Sequence, residues 1–90
     1  MRPETEAQLA LYRLARMLAT LDPVDALYGF KVGAEMHAWV VMRSLERADR
    51  HAVFTAQIET DPDFLLVLHL TDSRETVPAD AEQIDLKLAI

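Results

Sequence analysis

The three histidines are the side chains best suited to bind a metal or to exchange protons near neutral pH, so their spacing comes first. His37, His51 and His69 lie 14 and 18 residues apart, and none belongs to an HExxH sequence. Asp61 and Asp63 are not followed by the glycine and the closing glutamate of a calcium loop. We predict no metal site and no cofactor. We expect His69, in an apolar stretch, to be a hydrogen-bonded, partly buried residue or an interface residue.

Side chains for nucleophilic catalysis are scarce. The chain has no cysteine, and its serines, Ser44 and Ser73, lie outside any glycine-flanked nucleophile elbow. No glycine-rich loop is available to bind a phosphate. We therefore predict a non-enzymatic protein with no catalytic residues. The alternative is a small enzyme, or an enzyme subunit, with a pocket shared between subunits.

Charge is unevenly distributed along the chain. Residues 1–51 contain seven acidic and seven basic residues, so the whole net charge of −6 falls in residues 52–90. Six of the eight acidic residues of that half lie in predicted turns and loops, where side chains are exposed and often functional. They would suit a basic protein partner; the alternative is a surface that only keeps the protein soluble. The predicted partner-binding residues are Asp61, Asp63, Asp72, Glu75, Asp80, Glu82, Trp39 and Arg43.

Two helices are predicted to position these side chains. Residues 3–21 place leucines at helical spacing, and Asp22 and Pro23 end the pattern. Residues 22–33 are predicted to form a linker. Residues 34–48 are predicted as a second helix, with Trp39 and Arg43 on its less apolar face, and Trp39 is either core or an interface aromatic. A hairpin that turns at residues 47–50 is the alternative for this stretch.

Three strands complete the predicted fold. They are residues 52–60, residues 64–70 and residues 83–89, with Asp61 and Asp63 at the tip of a hairpin between the first two. Residues 64–70 are apolar on both faces, which indicates a central strand or one at a subunit interface. We predict an α+β fold in which two helices pack on a small antiparallel sheet of three to four strands. The predicted order is α-α-β-β-β, within one domain over residues 1–90.

Assembly and location follow from the same patterns. The wide apolar arc of the first helix and the apolar strand 64–70 exceed what a 90-residue monomer easily covers, so we expect a homodimer or a stable complex with another protein. The longest apolar runs are too short to cross a bilayer, and the N-terminal residues lack a signal-peptide core. We expect a cytoplasmic protein that does not bind membranes.

From these features we predict an inhibitor, an adaptor or a regulatory protein that acts through protein contacts. A phage-encoded inhibitor of a bacterial system is one setting for such a protein. The alternative is a winged-helix transcription regulator, in which Arg43, Arg47 and Arg50 would contact phosphates. The pI of about 4.8 disfavours nucleic acid as a partner.

Overall fold

The computed structural model describes residues 3–86, with side chains described from residue 6. Within that range the elements are α1 (Pro3–Leu18), β1 (Val24–Val32), β2 (Glu35–Met42), α2 (Arg47–Thr60), β3 (Leu66–Thr71) and β4 (Glu82–Ile84), and a short 3-10 turn, Arg74–Thr76, precedes β4. The α+β class is confirmed. The order of elements is α-β-β-α-β-β, so the predicted order α-α-β-β-β is wrong.

The first predicted helix is confirmed as α1, although it ends three residues earlier than expected. Its buried residues recur every three or four positions and form one helix face: Ala7, Ala10, Leu11, Leu14, Ala15 and Leu18. After Leu18 the chain leaves the helix through a turn, and Pro23 prevents the helix from resuming.

Residues 24–42 form a β-hairpin, so the linker predicted at residues 22–33 and the helix predicted at residues 34–48 are wrong. Val32 pairs with Glu35, and Gly33 and Ala34 are the loop between them. Gly33 has a φ of +60°, the left-handed backbone that two-residue hairpin loops require at their first position. The run Trp39–Met42 is continuously apolar because β2 is an internal strand with side chains packed on both faces, and this run fits a helical period equally well.

Residues 52–60, predicted as a strand, belong to α2. Phe54, Ala56 and Ile58 alternate as in a strand, but Val53, Ala56 and Gln57 are the residues that are buried, at helical spacing. The hairpin tip predicted at Asp61 and Asp63 is therefore wrong, because this segment connects a helix to β3.

The sheet has the strand order β3-β2-β1-β4 and is mixed, not antiparallel. β1 pairs antiparallel with β2 and with β4, whereas β3 pairs parallel with β2, because α2 carries the chain back between them. The strand predicted at residues 64–70 is confirmed as β3, but it lies at the edge. The strand predicted at residues 83–89 is confirmed only in part, as the short β4. Residues 87–89 of that prediction lie outside the described residues.

Both helices pack on one face of the sheet. The core joins residues of α1 and α2 to alternate residues of the strands, and its members include Leu11, Leu14, Leu18, Leu27, Ala38, Val40, Met42, Val53, Ala56, Leu66 and Ile84. Gly29 lets α1 approach β1 closely, since a Cβ at this position would lie 2.9 Å from Leu11 Cδ2. The other face of the sheet carries no helix within the described range.

Candidate functional site

The helix-free face of the sheet, called here the open face, carries a group of aromatic and histidine side chains. Successive side chains of a strand point to opposite faces, so the neighbours of the core residues Leu27, Ala38 and Val40 point to the open face. The strand pairing puts Tyr28, Trp39 and His69 in one row across β1, β2 and β3. Phe30, His37 and Val67 form the next row, and all six residues are half-buried.

His37, Trp39 and His69 form a contiguous cluster within these rows. The rings of Trp39 and His69 stack with centroids 4.1 Å apart and an angle of 11° between their planes. His37 Nδ1 and His69 Nε2 are 2.7 Å apart, a hydrogen bond in which one ring donates and the other accepts. His69 is therefore hydrogen-bonded and partly buried, as its apolar context predicted.

The surroundings of His69 favour the neutral form of its ring. Burial, and secondly the charge of His37, lowers the pKa of His69 from its ordinary value. Glu35 Oε1 lies 3.7 Å from His37 Nε2 and is the nearest acidic oxygen to the pair that we describe. His37 Nε2 and Trp39 Nε1 are buried without a hydrogen-bond partner among the described residues.

Residues 72–81 cross the sheet on the open face. This connection must pass from β3 to β4, which lie at opposite edges. Arg74 donates a hydrogen bond of 2.7 Å from Nη1 to the hydroxyl of Tyr28, which belongs to the open face. The connection therefore borders the row of Tyr28, Trp39 and His69, and it brings Asp72 and Glu75 to this side of the molecule.

Asp61 differs from the other predicted partner-binding acids because it is buried, with 1% of its surface exposed. Its carboxylate accepts hydrogen bonds from Leu65 N and Leu66 N, at 2.8 and 2.9 Å, and from Gln57 Nε2 at 3.4 Å. The side chain thus holds the turn between α2 and β3. The prediction that Asp61 is an exposed charge at a hairpin tip is therefore wrong, and Asp61 is not a surface acid.

The other predicted acids are exposed, and the structure separates them into three places. Asp63 lies in the turn before β3, and Asp72 and Glu75 lie on the connection that crosses the open face. Asp80 and Glu82 line a cleft of about 550 Å³ beside α1 and β1, together with Lys31. Asp80 and Glu82 therefore form a group apart from Asp72 and Glu75.

Arg43 and Trp39 do not share a helix face as predicted. Trp39 is on β2 and faces the open side, whereas Arg43 follows the strand. Arg43 pairs with Asp22 at 2.6 Å and lies 3.8 Å from Asp25. The hydrogen bond and the charge of Asp22 raise the pKa of Arg43. Its guanidinium is thus already engaged within the chain.

Metal and pocket chemistry can be assessed for the same part of the chain. In residues 3–86 no three His, Cys, Asp or Glu side chains are arranged to hold a metal ion. His51 is exposed on α2 and does not join the pair formed by His37 and His69. None of the four clefts that we describe is lined by a histidine.

Sequence reasoning missed the grouping of Tyr28, His37 and His69 around Trp39. The available signal was alternation: Tyr28 and Phe30 are two residues apart, as are His37 and Trp39, and the Gly33–Ala34 loop lies between the pairs. The parallel pairing that brings His69 to Trp39 depends on α2 being a helix, and that element was predicted as a strand.

Comparisons with known proteins return no match to this chain among protein families, curated proteins or solved structures. Over the described range, neither α1 nor α2 has the length and apolarity that a membrane-spanning helix needs.

Proposed function

We propose that this protein is a non-enzymatic interaction domain that binds a basic segment of another protein on the open face of its sheet. The observation that carries the proposal is the cluster of His37, Trp39 and His69, which lies half-buried on a face without a helix. The expected role is that of an inhibitor, an adaptor or a regulatory protein.

The aromatic side chains support this proposal by their chemistry. Tyr28, Phe30 and Trp39 offer rigid apolar area, and tryptophan and tyrosine are enriched at protein interfaces. Aromatic faces also attract the guanidinium and ammonium groups of a basic partner. Half-buried aromatic rings on a sheet face can thus provide both contact area and selectivity for cations.

The charges around the open face favour a basic partner. Glu35 is two-thirds exposed next to His37, and Asp72 and Glu75 are exposed on the connection that borders the aromatic row. Arg74, the basic residue of that connection, is engaged by Tyr28. With a net charge of −6 for the whole chain, long-range attraction would accelerate the approach of a basic surface.

The alternatives receive less support from the described residues. A winged-helix protein needs two successive helices, but a hairpin separates α1 from α2, and Arg43 is paired with Asp22. A catalytic histidine needs a nucleophile within reach. The hydroxyls of Ser44 and Ser73 instead accept hydrogen bonds from the backbone of Glu46 and Glu75.

Trp39 provides the test because it is the only tryptophan. Its fluorescence is followed while a ten-residue peptide of alternating arginine and leucine is added, with a glutamate–leucine peptide and a DNA duplex as comparisons. We expect saturable binding of the basic peptide alone, weaker at higher salt. The double variant Asp72→Lys/Glu75→Lys should weaken it about tenfold or more, in keeping with paired charges at an interface.

The matched control is Glu6→Lys/Glu59→Lys, which changes the net charge equally on two exposed acids of the helices. It should weaken binding only slightly. Equal losses in the two double variants would mean that net charge alone acts, and no binding of the basic peptide would overturn the proposal.

A further inference from the structure

We propose that a second copy of this chain pairs along the free edge of β3, so that two four-stranded sheets join across a two-fold axis. β3 is the outermost strand of the described sheet. It is six residues long and contains no proline, lysine, arginine, aspartate or glutamate. Proline and charged side chains are among the features that protect an exposed edge strand against pairing, and β3 contains neither.

Hydrogen bonds at the start of β3 show which backbone groups point outward. Leu66 N donates to Asp61 Oδ2, and Leu66 O accepts from Gln57 Nε2 at 3.0 Å. The N–H and C=O of alternate residues point the same way, so those of Leu68 and Leu70 also point away from β2. Asp61 and Gln57 therefore satisfy the outward backbone groups of Leu66. The outward groups of Leu68 and Leu70 are the two open positions.

These two open positions define a register. If a second β3 runs antiparallel, with Leu68 opposite Leu70 of the second copy, both residues exchange backbone hydrogen bonds across the axis. The arrangement is self-complementary, as a two-fold interface requires, and it satisfies every outward group at Leu68 and Leu70.

Helix α2 presents apolar side chains beside the same edge. The side chain of Gln57 reaches β3, and helical geometry places Phe54 on the same flank of the helix, with Ile58 next to it. Phe54 is 44% exposed and Ile58 is 58% exposed. A second copy paired at β3 would cover these side chains with its own α2.

The charges at the two ends of α2 are complementary under the same two-fold axis. Arg47 and Arg50 are exposed at its beginning, where the helix dipole disfavours cations. Asp63 is exposed just beyond its end. Because the two α2 helices would run antiparallel, the arginines of one copy would face Asp63 of the other, and this charge order favours a second copy as the occupant.

Phe64 adds an aromatic side chain at the same place. It is 61% exposed and has a φ of +53°, a left-handed conformation that is costly for a bulky residue. The backbone thus holds an exposed ring at the entry to β3. The register would place His69 opposite His69 of the second copy on the open face. It would cover neither Tyr28 nor Trp39, so the inference does not rest on the proposed function.

The first test is the molar mass in solution at tens of micromolar, about the range in which such interfaces hold. The wild type should be a dimer, and Phe54→Lys should be a monomer. Tyr12→Lys is the matched control because Tyr12 is a similarly exposed aromatic residue on α1, and this variant should remain a dimer. A monomeric wild type would overturn the inference.

Amide hydrogen exchange then distinguishes this dimer from any other. The amides of Leu68 and Leu70 should exchange slowly in the wild type and at least about tenfold faster in Phe54→Lys, where edge protection is lost. The amides of Val67 and His69 point toward β2, so they should stay protected in both proteins and report an intact fold. Equal exchange at Leu68 and Leu70 in both proteins would contradict the inference.

A charge exchange tests the orientation. Asp63→Arg should raise the dimer dissociation constant about tenfold, because it places like charges together. Adding Arg47→Asp and Arg50→Asp to that variant should restore the dimer. If the dimer is not restored, the antiparallel arrangement of the two α2 helices is wrong.

Discussion

At the scale of single residues, His69 links the sheet edge to the aromatic cluster. It stacks on Trp39 and shares a hydrogen bond with His37, so its charge state affects both neighbours. A proton on each of the two rings would place two N–H groups against each other. The neutral pair, or the pair with one added proton, keeps the hydrogen bond.

Stability should therefore depend on the protonation of His69. Its pKa in the folded chain is lowered by burial and by His37, below the ordinary value of about 6.5. Between these two values the unfolded chain binds the proton better, so the stabilising contribution is complete above about pH 6.5 and is lost as the pH falls.

Urea denaturation of the wild type and of His69→Gln at pH 7.5 and pH 5.5 measures this effect. The wild type should lose more stability than the variant between the two pH values, because glutamine does not titrate. Parallel losses in the two proteins would assign the pH dependence to other groups.

Asp61 is the second residue with a specific role. Removing its carboxylate in Asp61→Ala leaves two backbone N–H groups without their acceptor, at about 1–3 kcal/mol for each buried group. We expect a loss of about 2–4 kcal/mol in the free energy of unfolding. The exposed acid Glu59 on α2 is the control, and Glu59→Ala should change stability by less than about 0.5 kcal/mol. Similar small losses would show that the carboxylate does not hold the turn.

The sequence predicts Trp39 and several acids as binding residues, but it does not group them. Asp61 looks like its neighbour Asp63 in the sequence, and only the chain direction after α2 buries one and exposes the other. Tyr28 and His69 join Trp39 through strand pairing, a long-range contact that no local pattern encodes.

At the scale of elements, the β1–β2 hairpin depends on Gly33. Its φ of +60° is costly for a residue with a Cβ. The cost comes from the backbone, because a Cβ at this position would meet no described atom within 4 Å beyond its chain neighbours. Gly33→Ala should therefore reduce stability by about 1–2 kcal/mol through the backbone alone. Gly33→Asn should cost less, because asparagine tolerates this region better. Thermal denaturation compares the variants, and an unchanged midpoint for Gly33→Ala would mean that the turn has another geometry.

The helices and strands were only partly predictable, for a physical reason. α1 has one wide apolar face and clear end signals, so its pattern has one interpretation. β2 is packed on both faces, so its apolar residues do not alternate with polar ones. α2 exposes Phe54 and Ile58, so its apolar residues do not all lie on its buried face. In both elements tertiary contacts decide between two periods that the sequence allows.

At the scale of the whole molecule, the two faces of the sheet differ in what covers them. One face is covered by α1 and α2 and carries the core. The open face carries aromatic side chains, a histidine pair and an acidic border. The division follows from the topology, because both helices lie on one side and residues 72–81 cross the other.

The central claim is that the open face binds a basic segment, and amide NMR of the labelled protein with the arginine–leucine peptide tests it most directly. We predict that shifts concentrate on Tyr28, Trp39, His69 and residues 72–81, and that the helices change little. Shifts centred on α1 or α2, or no shifts at about millimolar peptide, where even weak specific binding is detected, would contradict the account.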